Sequence, residues 1–213
     1  MLTFNTGAIA GFFMKFDNVW FTSDTHFSHR NIVNLSDRPF RLPNGEPDVD
    51  NHDQTLIANI NACVGKNDLL IHLGDVALGK IADSLPLVGL LNGCKVLIPG
   101  NHDRVFSGEK EKMRIRFDSE YRKVFNVIWP EIVQTWIPHL ESHVILSHFP
   151  YSGDSQENDR HVDKRPTDSS LPLIHGHIHE KRRIEGNMFN VGVDVNNYYP
   201  VHHSVLRDWI KSL

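Results

Sequence analysis

Five short apolar runs, at residues 19–22, 69–73, 95–98, 144–146 and 171–174, each end on side chains that can bind metal ions. The first leads into Asp24-Thr25-His26 and the second into Gly74-Asp75. The third leads into Gly100-Asn101-His102-Asp103, and the fourth into Ser147-His148. The fifth leads into His175-Gly176-His177-Ile178-His179. The runs are aliphatic or β-branched and of the length of buried strands. Strand-like runs alternating with helix-like segments read as an α/β fold. In an open α/β sheet, sites form beyond the carboxyl ends of the strands. If the runs are neighbours in space, all five clusters share one rim. One Asp-x-His or Gly-Asp alone is commonplace, but five in succession are not readily assigned to unrelated turns.

The donors are carboxylate, imidazole and amide oxygen, a set that suits divalent manganese, iron or zinc. The 14 histidines are scattered rather than gathered into a tract, so their positions carry the argument. The two cysteines, Cys63 and Cys94, form no CxxC pair and read as free buried thiols. A closed thiolate zinc site is therefore not expected. Gly74, Gly100 and Gly176 directly precede ligand positions, where a missing Cβ permits a sharp turn and close backbone approach.

The length of 213 residues suits a single domain over 1–213. The formal net charge of −4 gives no basic footprint for nucleic acid, although bound metal can supply positive charge locally. Long nucleic acids are disfavoured as partners. No apolar run reaches the roughly 20 residues that span a bilayer, so no membrane partner is expected. Residues 7–16 lack the basic start and cleavage site of a signal peptide, and a cytoplasmic location is the default.

Further along the chain, alternation of Phe189, Val191, Val193 and Val195 predicts a strand over 188–195. Helices are predicted over about 50–64 with Asp50 as cap, over 81–91 with Pro86 as a weak point, over 109–124, and over 203–213. The polar stretch 151–170 shows no period, and it is either a substrate-facing loop or a surface excursion.

The order Asp24-x-His26, Gly74-Asp75, Gly100-Asn101-His102-Asp103, His148, Gly176-His177-x-His179 resembles the calcineurin-like metallophosphoesterase superfamily. The segment from Asp24 through Phe27, Ser28, His29, Arg30 and Asn31 to Ile32, followed by Arg38-Pro39-Phe40, is similar to a small bacterial and phage branch. The resemblance implies a four-layer α-β-β-α sandwich of two mixed β-sheets flanked by helices. It implies two divalent metal ions, manganese foremost, with iron, zinc, nickel, cobalt or magnesium as alternatives. One would be held by Asp24, His26 and His179, the other by Asn101, His148 and His177, with Asp75 bridging both.

The implied reaction is attack of a metal-bound hydroxide on a small phosphate ester or nucleotide. His102 would face the substrate beside Asn101 and act on the leaving group. A phosphodiester is favoured, with cyclic nucleotides among the candidates. Phosphomonoesterase, nuclease and catalytically silent scaffold are the alternatives.

Other residues keep two readings. His29 is either a substrate contact or a surface residue. Arg38 either holds a phosphate oxygen through its planar fork or is a loop charge. Asp103 either orients His102 or caps a helix. Asp194 either braces the site or serves a turn. His72 reads as a core histidine and His175 as packing beside the site. His52, His139, His143 and His161 read as surface or loop residues, and His202-His203 as solvated or capping. Two departures from the family pattern stand out. Residues 31–66 insert a loop and a helix, a shape suited to forming a substrate pocket. The family-like start fits Met14, so residues 1–13 are expected to be an extension or the result of a misplaced start codon.

Overall fold

A computed structural model describes residues 6–213. Helix α1 (Thr6–Phe13) precedes strand β1 (Val19–Thr22). Two helices, α2 (Ile32–Leu35) and α3 (Val49–Cys63), separate it from β2 (Leu69–His72). Helix α4 (Ile81–Ser84) leads to β3 (Cys94–Leu97), and α5 (Glu111–Val124) leads to β4 (Val127–Ile128). Then come β5 (Ile132–Ile137), β6 (Ser142–Ser147), β7 (Leu173–His175), β8 (Ile184–Glu185), β9 (Met188–Asn190), β10 (Val201–His202) and α6 (His203–Ile210).

The strands form two mixed five-stranded sheets, ordered β10-β1-β2-β3-β4 and β5-β6-β7-β9-β8. Strands β1 to β4 are mutually parallel, as are β6, β7 and β9. Register explains the packing between the sheets. Phe21, Ile71 and Val96 stand side by side on the first sheet. Val133, Leu146, Ile174 and Phe189 stand side by side on the second. All seven belong to one buried cluster between the sheets. The outer face of the first sheet buries Leu70 and Leu97 against Leu56 and Ile60 of α3, Tyr121 of α5 and Phe125 just after it. Burying an aliphatic side chain of this kind contributes about 1.5–3 kcal/mol. On the second sheet, Ile145, Leu173 and Met188 are covered by Tyr151 and Leu171. Ile9 and Phe13 of α1 enter the central cluster, and Phe13 lies against Trp129 with ring centroids 5.7 Å apart.

Three elements differ from the sequence expectations. The helix expected over 81–91 stops at Ser84 and continues as a 3-10 turn, Leu85–Leu90, with Pro86 in its first turn. Proline has no N–H to continue an α-helix. Asp48, not Asp50, caps α3, accepting the N–H of Asn51 at 3.1 Å. The strand expected through residue 195 ends at Asn190, because the Asn190 side chain turns back to accept the N–H of Gly192. The chain then makes the short turn Val193–Val195 that carries Asp194.

Candidate metal centre

The parallel strands deliver the five clusters to one rim. The N–H of Asp24 donates to the carbonyl of Gly74, and the N–H of His26 donates to that of Asp75. The N–H of Gly176 donates to the carbonyl of His148, and the N–H of Val193 to that of Ser23. These bonds tie together the turns that follow β1, β2, β6, β7 and β9. The approach is too close for side chains at Gly74, Gly100 and Gly176, and a Cβ on Gly74 would lie 2.3 Å from the Gly100 nitrogen. A Cβ on Gly100 would lie 2.4 Å from Asp75 Oδ1, and one on Gly176 would lie 2.3 Å from Asp24 Oδ2.

The backbone at the site is itself unusual. Asp24, His26, Asp75, His177 and His179 all have left-handed φ, between 48° and 72°. That conformation is uncommon away from glycine and costs roughly 1–3 kcal/mol per residue. Neighbouring structure has to hold all five in place. Such strain gathers where side chains must be aimed at a common point.

Two groups of donors converge: Asp24, His26 and His179, and Asp24, Asp75 and His148. Within each group the donor atoms lie within 4.8 Å of one another. Asp24 belongs to both groups, and Asp75 Oδ2 lies 3.7 Å from His26 Nε2, 3.4 Å from His148 Nε2 and 3.9 Å from His102 Nε2. Its other oxygen accepts the backbone N–H of His102 at 2.8 Å. Asn101 Oδ1 lies 3.2 Å from His148 Nε2. Asp24 Oδ1 and both ring nitrogens of His26 are buried without a hydrogen-bond partner.

Three imidazoles have one nitrogen held by an oxygen, His148 and His179 within the donor groups and His177 outside both. His148 Nδ1 donates to the Leu73 carbonyl at 2.7 Å. His177 Nε2 donates to Asp154 Oδ2 at 3.2 Å, and His179 Nδ1 donates to Asp194 Oδ2 at 3.1 Å. In a neutral ring each bond leaves the opposite nitrogen with its lone pair free. For His148 that lone pair faces the oxygens of Asn101 and Asp75. With Asn101 and Asp75 both accepting, the position calls for a positive charge, either a proton on His148 or a metal ion. This donor arrangement fits divalent metal ions, which are the usual occupants of carboxylate and imidazole clusters with such outer partners.

Electrostatics carries the same message. Burial opposes protonation of His148, but the Asp75 carboxylate outweighs it and pushes the ring up to about 9. Burial likewise disfavours the Asp75 anion, yet His148 and His102 hold its carboxyl well below the usual range. Burial raises Asp24, with the nearby Asp75 charge adding to the shift, and burial drives His26 well below its ordinary value.

Several expectations need correction. The Arg38 fork does not face a substrate. Nε and Nη2 grip the two oxygens of Asp194 at 2.8 and 2.9 Å. Nη1 lies 3.2 Å from the Thr25 carbonyl and 2.7 Å from His52 Nε2, and Nη2 also donates to the Asp24 carbonyl. All five donors are engaged in a fully buried side chain. His52 is not a surface residue; it is buried between Arg38 and Asp53. Asp103 neither orients His102 nor caps a helix. It accepts the N–H groups of Asp75, Val76 and Gly100, and the hydroxyl of Tyr121.

His29 is half-buried with its ring 5.4 Å from that of His26. Burial, with His102 adding to it, lowers His29 to about 4. The His102 side chain is 43% exposed, which leaves it open to a substrate. Asp154 and Asn190 were not singled out from sequence. Asp154 lies in the aperiodic stretch, and Asn190 donates to the His179 carbonyl at 3.0 Å. Neither position has a local pattern that marks it.

Two mixed sheets sharing a rim of convergent carboxylates and imidazoles define an α/β protein of the metal-binding type. The family model for calcineurin-like phosphoesterases matches residues 18–181, and the chain belongs to that family. The family comprises metal-dependent phosphoester hydrolases. The chain is 32% identical over 189 residues to the Gene 66 protein of Mycobacterium phage L5, covering 83% of this chain and 86% of the relative. It is 30% identical over 198 residues to an uncharacterised protein of Methanocaldococcus jannaschii, covering 88% of each. A crystal structure of a protein of unknown function from Aquifex aeolicus matches with a TM-score of 0.66 and 26% identity, over 91% of this chain and 99% of that one. No helix among the described residues is long and apolar enough to cross a membrane.

Proposed function

We propose that this protein is a dinuclear metal-dependent hydrolase of small phosphate esters, with phosphodiesters, cyclic nucleotides among them, favoured over monoesters. Asp24, His26 and His179 would hold one cation. Asn101, His148 and His177 would hold the other, and Asp75 would serve both. The observation that carries this reading is the set of three imidazoles held at one nitrogen by an oxygen, together with the unpartnered donors of Asp24 and His26. Bound divalent cations supply Lewis-acid polarisation of the phosphoryl group and an activated water. Manganese is favoured among them on the family resemblance, and the thiolate-free donor set also accommodates iron and zinc.

The chain's own residues perform the remaining chemistry. His102 is held at its backbone by Asp75, while its ring stays accessible beside the donor cluster. That position suits proton donation to a leaving oxygen, a contribution of about 10²–10⁴-fold. His29, neutral and half-buried with its ring 5.4 Å from that of His26, would contact the ester. The turns after β1, β2, β3, β6 and β7 exclude bulk water from the buried half of the cluster, which strengthens interactions with the developing charge.

The test is to remove metal, restore manganese, and compare a generic phosphodiester with a generic phosphomonoester, with His102→Ala as control. Manganese-dependent diester cleavage that falls in the variant while bound metal is retained is the expected result. Preferential monoester cleavage would overturn the diester assignment. No hydrolysis with two ions bound would favour a scaffold role.

A further inference from the structure

The segment between β1 and β2 reaches the donor cluster only indirectly, through a buried chain of polar side chains. Ser28 donates both its backbone N–H and its hydroxyl to Asp53. His52 Nδ1 donates to Asp53 Oδ1 at 2.7 Å. Arg38 Nη1 donates to His52 Nε2, and the Arg38 fork clasps Asp194. Asp194 accepts Nδ1–H of His179. Arg38 and His52 are fully buried, and the Asp194 side chain is 1% exposed. The same segment also grips the backbone of the turn that carries Asp194. Asn59 donates to the Tyr198 carbonyl at 3.2 Å, and Phe40 meets the Tyr198 ring edge-on at 5.0 Å.

The directions of these bonds are not arbitrary. A guanidinium only donates, so His52 Nε2 must accept and Nδ1 must carry the proton given to Asp53. With both its oxygens held by Arg38, Asp194 cannot rotate away from His179. The Nδ1 proton of His179 is thereby held on Asp194, which leaves Nε2 as the nitrogen available to the donor group of Asp24, His26 and His179.

We infer that residues 31–66 act as a brace for the metal centre, with Arg38 and Asp194 as positioning residues that fix the tautomer and direction of His179. The inference rests on the metal-binding reading above, and its test separates the two. Two variants are compared with wild type. Arg38→Lys keeps a charge but loses the fork. The double variant Arg38→Met/Asp194→Leu replaces the pair by apolar groups, a change that buried ion pairs often tolerate. Arg30→Gln, an exposed residue just before this segment that pairs with Glu46, is the control.

Manganese stoichiometry and affinity are measured by titration of the metal-free proteins, with far-UV circular dichroism to verify folding. Nitrogen-15 NMR of metal-free protein, at a pH high enough that the ring is neutral, reads the His179 tautomer. The expected result is one ion bound as in wild type and the other weakened by about 10–100-fold, the usual loss when a partner behind a ligand is removed. The His179 proton should no longer be confined to Nδ1, and the control should be unchanged. Folded variants that keep two ions at wild-type affinity and the Nδ1–H tautomer would overturn the brace. If Arg38→Lys fails to fold, the double variant decides. Wild type that takes up no second ion would overturn the metal reading, while the tautomer still decides the brace.

Discussion

Asp103 Oδ2 accepts the backbone N–H of Asp75 at 2.9 Å, and the same oxygen accepts that of Gly100 at 2.8 Å. One buried carboxylate therefore joins the turn after β2 to the turn after β3. Asp103→Ala would strand three backbone N–H groups and the Tyr121 hydroxyl. Each unsatisfied buried group costs about 1–3 kcal/mol, so the variant should lose more than 3 kcal/mol of stability. Urea unfolding of metal-free protein checks this. A loss under 1 kcal/mol would mean that water replaces the carboxylate.

The crowding at Gly176 makes a second prediction. A Cβ there would stand 2.1 Å from Ser23 Oγ and 2.3 Å from Asp24 Oδ2. Gly176→Ala should abolish tight metal binding by displacing Asp24, even if the chain still folds. Elemental analysis after dialysis against manganese gives the answer, and full metal content would show that the turn relaxes without moving Asp24.

Asp24 predicts a reversal of stability. Its carboxylate is buried, Oδ1 has no partner, and Asp75 lies close by. Without metal this is a buried anion that costs stability; with metal it becomes a ligand. Asp24→Asn should raise the melting temperature of metal-free protein and lower it relative to wild type under saturating manganese. The same order in both conditions would remove Asp24 from the centre.

Acid should weaken the fold through buried histidines that belong to neither donor group. Burial lowers His72 to about 3, and burial, with His202 and His139 adding to it, lowers His203 to about 4. In the unfolded chain both titrate near 6.5. Between those limits the unfolded chain binds more protons, so stability falls as pH drops from about 6.5 toward 4. Urea midpoints of metal-free protein across that range test it, and a flat profile would contradict the assignment.

Phe13 is fully buried against Trp129 within the central cluster. Phe13→Ala should cost about 3–5 kcal/mol if α1 belongs to the folding unit. Chemical denaturation decides between that and the expectation that residues 1–13 are an extension. An unchanged midpoint would favour the extension.

The strand-end clusters were legible because each pairs a short apolar run with donors a few residues beyond it. That is local information, and parallel pairing of β1, β2 and β3 does the rest. The role of Arg38 was not legible, because its partner Asp194 lies 156 residues away. His52 read as a surface or loop residue because nothing local marks its burial, although its partners Asp53 and Arg38 are near in sequence. Asp154 sits in a stretch without period, where nothing local marks the aspartate that meets His177. Pro86 and Asn190 altered the elements around them through single hydrogen-bonding preferences, which hydrophobic period does not record.

The left-handed backbone at Asp24, His26, Asp75, His177 and His179 bears on protein engineering. Grafting these side chains onto ordinary strand ends or helices would aim them elsewhere, because right-handed or extended backbone projects Cβ in another direction. A designer who wants this centre in another scaffold has to transplant the turns, together with the hydrogen bonds that hold them. Conversely, a library that varies only the side chains around the cluster leaves the aiming device untouched, which makes this rim a practical starting point for altering substrate preference.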